Sequence, residues 1–252
     1  MPKLIFLGTA NAIADETHEN THMVVVGKKR TVLIDCVDGT NLRLKKVGLD
    51  THLVNDLILT HFHPDHVSGV PQILLNMRLT GRSLPLNIYG LQYTLDRIEQ
   101  LMGSYNWTRW PNEFPVNFNR LPEQEMVTVL EHDEFSIFAS PVKHWIPTLG
   151  LRIEFHSSHK VVTYSCDTEP CPQLLHLAEG AELLIHEASG PFPGHSSAEQ
   201  AGKIAAQAGV KSLYLIHYPT GKDLTGDPKL EAQREFAGPV TYAEDLMSLS
   251  FD

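Results

Sequence analysis

The stretch Thr60-His61-Phe62-His63-Pro64-Asp65-His66 carries three imidazoles and a carboxylate directly after the apolar run Leu57-Ile58-Leu59. A lone histidine beside such a run is ordinarily a satisfied core residue. A cluster of this density suits a metal site, because neutral imidazole and carboxylate are donors that zinc and related ions accept. Other donors follow the same rule of position. His144 comes after Phe135 to Val142, Asp167 after Val161 to Cys166, and His217 after Leu213 to Ile216. Each stands just past the C-terminal end of an expected strand, the edge at which layered α/β proteins gather ligands. Together these side chains suffice for two ions. Paired dications repel, so an anionic ligand between them is needed. A water bridging them loses a proton near neutral pH and becomes a nucleophile, while the second ion holds the substrate's oxygen and the leaving group.

The elements that must position these donors are short β-type runs bounded by turn residues. They are expected at Lys3 to Leu7, Met23 to Val26, Thr31 to Asp35, Leu57 to Thr60, Leu86 to Tyr89, Val127 to Leu130, Phe135 to Ala139, Leu149 to Phe155, Lys160 to Ser165, Leu183 to Ile185 and Leu213 to Ile216. Helical patterns fall between them. Thr40 to Val47 ends at Gly48, Pro71 to Thr80 has proline first and Gly81 after, and Leu91 to Met102 places Leu91, Leu95, Ile98 and Met102 on one face. Ser197 to Ala208 precedes Gly209, and both Ser196 with Glu199 and Ser197 with Gln200 fit a capping box. Hairpins mixed with helices predict two sheets with helices outside. Gly103 to Gln124, with Trp107, Trp110, Phe114, Phe118 and three prolines, reads as a long irregular stretch, either a functional cover or a packed satellite patch.

The 252 residues, 42% hydrophobic and 20% charged, suit one α/β domain spanning 1–252. The net charge of −10 argues against a general polyanion-binding or anionic-membrane surface. Cys36, Cys166 and Cys171 are odd in number and lack zinc-finger spacing, which favours a reduced, cytoplasmic setting. The apolar run at the N-terminus is too short for a signal peptide, and no segment has the length of a membrane span.

His61-Phe62-His63-Pro64-Asp65-His66 resembles the signature of the metallo-β-lactamase fold. Phe6-Leu7-Gly8-Thr9, Leu33-Ile34-Asp35-Cys36, His144 to Gly150, Ser165-Cys166-Asp167-Thr168, Ile185-His186-Glu187-Ala188-Ser189 and Gly194-His195-Ser196-Ser197 narrow the resemblance to the ribonuclease Z group, the tRNA 3′-processing endonucleases. The resemblance implies an αββα sandwich of two mixed β-sheets flanked by helices. It implies one zinc at His61, His63 and His144, a second at Asp65, His66 and His217, and Asp167 as the bridge, with manganese or iron as substitutes. It implies that Asp65 helps orient a metal-bridged hydroxide, that His195 supplies a proton to the leaving oxygen or stabilises the pentacovalent phosphorane, and that Glu187 orients or charges His195. It implies a homodimer as well. His186 is expected to be structural. The long flexible arm of that group is missing, because only Trp145 to Cys166 separates His144 from Asp167. Pro64 and Ile216 stand where the group tends to have glycine and threonine.

The leading expectation is a dinuclear zinc phosphodiesterase, acting on an RNA 3′ region or a smaller phosphodiester. The alternative keeps the fold and takes a lactone, thioester, aryl sulfate or cyclic phosphodiester. A di-iron redox role is disfavoured because His63 stands where such relatives place a glutamate. A non-catalytic scaffold is disfavoured because no ligand position is lost.

Overall fold

The computed structural model describes residues 2–224 and 226–251. In chain order its strands are β1 (Lys3–Gly8), β2 (His22–Val26), β3 (Thr31–Ile34), β4 (Asp56–Ile58), β5 (Leu86–Leu91), β6 (Val116–Leu121), β7 (Val127–Glu131), β8 (Phe135–Val142), β9 (Thr148–Phe155), β10 (Lys160–Tyr164), β11 (Leu183–Glu187), β12 (Ser212–Ile216), β13 (Val240–Tyr242) and β14 (Ser248–Ser250). The helices are α1 (Thr40–Lys46), α2 (Pro64–Val67), α3 (Val70–Leu79), α4 (Gln92–Ser104), α5 (Pro172–Ala178), α6 (Ala198–Gln207) and α7 (Pro228–Gln233).

The strands form two seven-stranded sheets, ordered β14-β1-β2-β3-β4-β5-β6 and β13-β12-β11-β10-β9-β8-β7. Both are mixed. β1 to β3 run antiparallel and β3 to β6 parallel; β7 to β10 run antiparallel and β10 to β13 parallel. The parallel strands bring their C-terminal ends to one edge of each sheet, and that edge carries the site.

Alternation within the strands builds the layers. In β1, Leu4 and Phe6 join the core between the sheets, with Ile34 and Ile58 from the first sheet and Ile137, Leu151, Ile153 and Ile185 from the second. Ile5 and Leu7 point the other way and pack with Leu74, Met77, Leu95 and Ile98 of α3 and α4. On the outer face of the second sheet, Leu184, Leu213 and Leu215 meet Leu174 of α5 and Ala201 and Ile204 of α6. Each central strand is therefore buried on both faces, which is why its sequence reads as an unbroken apolar run. No helix among the described residues is long and apolar enough to cross a membrane.

Several expectations need correction. The stretch 103–124 is not irregular: a 3₁₀ turn at Trp107–Arg109 is followed by β6, parallel to β5. Pro111, Pro115 and Pro122 lie outside β6, which is an edge strand and tolerates flanking prolines. Trp107, Trp110, Phe114 and Phe118 pack against the helix-side core, with the Arg78 guanidinium over the rings of Trp107 and Trp110. The packed-patch reading therefore holds over the functional cover. Of the two capping boxes, only Ser197 with Gln200 forms. The Ser196 hydroxyl instead donates to the Thr168 carbonyl at 2.6 Å, and Glu199 pairs with Lys203. Leu91 ends β5 and α4 starts one residue later. Besides β6, the unforeseen elements are α2, α5, α7, β13 and β14, all too short to show a period. β14 exists because Ser248 to Ser250 pair with Ile5 to Lys3, a partner far away in sequence.

Candidate active site

The donors meet where strands end. His61 follows β4, and Pro64 at the first turn of α2 sets the short helix that presents Asp65 and His66. His144 follows β8, Asp167 follows β10 and His217 follows β12. At two of these strand ends, and at the end of β3, the chain turns through left-handed backbone on a residue other than glycine: Cys166 (φ 53°) after β10, His217 (φ 52°) after β12 and Asp35 (φ 60°) after β3. Such turns are disfavoured by about 1 kcal/mol each and concentrate at functional sites.

The predicted ligands fall into two groups, His61/His63/His144 and Asp65/His66/Asp167/His217, each with its ligand atoms within 4.8 Å of one another. In the first, His63 Nδ1 lies 3.0 Å from His61 Nε2 and 3.2 Å from His144 Nε2. In the second, His217 Nε2 lies 3.4 Å from Asp65 Oδ2 and 3.5 Å from Asp167 Oδ2. His66 Nε2 lies 3.7 Å from Asp65 Oδ2 and 3.6 Å from Asp167 Oδ2. His61 Nε2 of the first group is 3.8 Å from that same Asp167 oxygen, so Asp167 stands between the groups. Donors about 2.1 Å from a tetrahedral ion lie about 3.4 Å apart, and these separations match that spacing. His66 Nε2 and Asp167 Oδ1 are buried and lack any hydrogen-bond partner. Buried polar atoms without partners are costly, and a cation would satisfy both. The residues therefore fit a pair of divalent ions.

The outer nitrogens are fixed by partners that sequence reasoning missed. Asp35 accepts from His66 Nδ1 at 2.8 Å and from the Thr60 amide at 2.8 Å, and the Thr60 hydroxyl also donates to it at 2.9 Å. That hydroxyl, its proton committed to Asp35, is left to accept from His61 Nδ1 at 3.1 Å. Ser189 Oγ donates to the His217 carbonyl at 2.8 Å and accepts from His217 Nδ1 at 2.7 Å. His144 Nδ1 donates to the Gly194 carbonyl at 2.6 Å. Each contact places the proton on Nδ1 and turns the bare Nε2 inward, the tautomer that a ligand needs. The signals were faint. Asp35 is a lone acid at the end of an apolar strand, and the other partners come from distant loops.

Electrostatics agree with this reading. Burial, aided by the neighbouring His66, drives the pKa of His61 well below its ordinary value, and burial takes His144 down to about 4. Both rings are held neutral. Burial opposes a charge on His66, but Asp167 and Asp35 outweigh it and raise its pKa, so this half of the cluster draws positive charge.

Beside the cluster sits a pair of another kind. Glu187, fully buried at the end of β11, accepts from the amides of Thr168 (3.1 Å), Ser189 (2.9 Å) and Ser196 (3.0 Å). It also accepts from His195 Nδ1 at 3.0 Å. Burial opposes charging of His195, yet the bond to Glu187 and its charge prevail and raise the pKa. His195 Nε2 is left free, and His195 lines a cavity of about 470 Å³ shared with His63, Asp65, Asp167 and His217. His186, by contrast, is fully buried with Nδ1 on the Glu187 carbonyl at 2.7 Å, and it joins neither group. Ile13, Trp145 and Phe192 also line this cavity, and no lysine or arginine does among the described residues.

Two mixed sheets back to back between helices, with a donor cluster at their common edge, define the metallo-β-lactamase fold. Residues 2–238 match the family described as anti-Pycsar protein Apyc1, and the chain belongs to that family. Its relatives include the ribonuclease Z of Methanothermobacter thermautotrophicus, 28% identical over 303 aligned positions covering 99% of this chain and 96% of that protein. The ribonuclease Z of Mycolicibacterium gilvum is 31% identical over 86% of this chain and 84% of its own. Among solved structures, the metallo-β-lactamase fold protein YhfI from Bacillus subtilis aligns with a TM-score of 0.82 at 20% identity, covering 98% of both chains. The alignment with the Methanothermobacter enzyme is longer than the 252 residues of this chain, so that relative carries segments with no counterpart here.

Proposed function

We propose that this protein is a dinuclear zinc phosphodiesterase with a ribonuclease Z-like site, turned toward phosphodiesters smaller than a folded tRNA. His61, His63 and His144 would hold one zinc, Asp65, His66 and His217 the other, and Asp167 would bridge them. Manganese or iron are the substitutes that this donor set also accepts. When bound, the ions polarise the phosphoryl group and generate a water-derived nucleophile at neutral pH. Asp65, at the mouth of the cavity, accepts a proton from the incoming nucleophile and orients it. His195 Nε2 faces the same cavity and donates a proton to the departing oxygen, while Nδ1–H stays on Glu187. Glu187 holds the ring in that orientation and favours its protonated form.

The single observation that carries this reading is the Glu187–His195 pair beside the seven-donor cluster. An alkoxide leaving a phosphodiester needs a proton, whereas the thiolate leaving a thioester does not. The smaller substrate is supported by the absence of the long arm, by the net charge of −10 and by a cavity lining that holds no lysine or arginine among the described residues. A homodimer and a cytoplasmic setting remain part of the proposal, supported by the resemblance to ribonuclease Z.

The test is turnover of a dinucleoside monophosphate, whose leaving group is an alkoxide, and of a thioester by the zinc-loaded protein and its His195→Ala variant. The expected result is a loss of about 10²- to 10⁴-fold on the phosphodiester alone. An equal or negligible loss on both esters overturns the reading. Parallel incubation with a precursor tRNA decides the substrate: cleavage of the small ester and not the RNA is expected.

A further inference from the structure

The segment Gly190-Pro191-Phe192-Pro193-Gly194 delivers His195 and is held by little packing. Phe192 and His195 line the cavity of about 470 Å³ on one side and a second cavity of about 310 Å³, walled by Glu169 and Gln200, on the other. Pro191 and Pro193 have no amide proton to give. The amides of Gly190, Phe192 and His195 donate to the carbonyls of Ser196 (3.0 Å), Gly190 (2.8 Å) and Phe192 (3.0 Å), so the loop closes on itself. Its ties to the rest of the fold are the Gly194 peptide and the His195 ring. The Gly194 amide donates to Glu169 Oε1 at 2.9 Å, and its carbonyl takes the His144 proton. Glycine is needed there, because at its φ of +79° a Cβ would stand 2.7 Å from the Trp145 indole nitrogen.

Glu169 is built into the site's own frame. Its amide donates to the Lys143 carbonyl at 2.8 Å, and its Oε2 meets the Lys143 ammonium at 2.6 Å. One carboxylate oxygen thus answers to the residue before His144 and the other to the residue before His195. The Lys143 side chain is 62% exposed and that of Glu169 31%, so the ion pair contributes little to stability. What it does is aim Oε1 at the Gly194 amide, where a charged acceptor makes a strong bond.

We propose that Glu169 is a positioning residue for the proton transfer: by holding the Gly194 amide it keeps His195 with Nδ1 on Glu187 and Nε2 in the cavity. This rests on the phosphodiesterase reading and extends its machinery by a residue that acts through Gly194 alone.

The experiment compares turnover of a dinucleoside monophosphate and of a thioester, at saturating zinc, by the unsubstituted protein, Glu169→Ala and Glu169→Gln. Glu169→Ala should lower kcat on the phosphodiester about ten- to hundred-fold, with KM and the thioester rate within about two-fold. Glu169→Gln keeps an oxygen for the Gly194 amide and should retain most of the rate. In the metal-free protein the Nδ1 proton that His195 shares with Glu187 is read by NMR, assigned by its loss in His195→Ala. It should persist in Glu169→Gln and exchange with water in Glu169→Ala. An unchanged Nδ1 signal or an unchanged phosphodiester kcat in Glu169→Ala overturns the proposal. So does an equal loss on both esters, which would mean that Glu169 merely braces the fold, or a Glu169→Gln variant as slow as Glu169→Ala. Should His195→Ala cost both esters alike, the phosphodiesterase reading fails, and the Nδ1 signal alone decides whether Glu169 positions the ring.

Discussion

At the scale of single residues, Asp35 governs more of the site than any residue outside the donor set. Its carboxylate holds His66 directly and His61 through the Thr60 hydroxyl, and so reaches both ligand groups. Asp35→Asn keeps the shape but cannot accept every donor now aimed at the carboxylate. It should weaken zinc binding about 10- to 100-fold at both positions, read by competition with a chromophoric chelator. A loss confined to one ion would show that the Thr60 link carries nothing. His186 offers a test of pH dependence away from the donors. Burial takes its pKa from 6.5 down to about 4. The unfolded chain takes up a proton near 6.5 that the folded chain refuses until about 4, so this histidine's stability is complete above 6.5 and is lost as pH falls through that window. His186→Asn removes the effect. The difference in unfolding free energy between the two proteins should therefore shift by on the order of 3 kcal/mol against the histidine from pH 7 to pH 4, read by urea denaturation.

At the scale of elements, the loop from β11 to α6 carries both Ser189 and His195 and supplies the Gly194 carbonyl to His144. Gly194→Ala would force a Cβ against the indole and the His144 ring at positive φ. It should lower phosphodiester turnover by at least ten-fold while shifting the urea midpoint little, since the loop can move without opening the core. Ser197→Ala removes the N-cap bond of α6 and should do the reverse, costing about 1 kcal/mol of stability with turnover nearly intact. Elements with a strong local period were readable before any coordinates. α6 announced itself through its cap, and the central strands through apolar runs. The edge strands β6 and β14 were not, because Val116 and Ser248 are strand residues only by virtue of Leu86 and Ile5 beside them. The His61 to His66 stretch was visible because its donors are near neighbours in sequence. The grip of Ser189 on His217 was not, because it depends on two loops meeting in space.

At the scale of the whole molecule, each ligand group draws on both sheets. His61 and His63 come from the end of the first sheet and His144 from the second; Asp65 and His66 answer to Asp167 and His217 in the same way. Ions held there would therefore tie the two layers together at one edge. Chelation should lower the melting temperature, and added zinc should restore it in proportion to the logarithm of its free concentration, as binding to the folded state alone requires. A Leu151→Ala truncation in the core between the layers, costing 2–5 kcal/mol, should leave zinc stoichiometry unchanged in the folded protein.

The same division between sheets has a consequence for synthesis. The first four donors leave the ribosome well before His144, and the second position lacks its last donor until His217 has emerged. A growing polypeptide would lack the complete two-ion cradle until then, so loading of the second ion would belong to the closing moments of translation or later, once the two halves have come together.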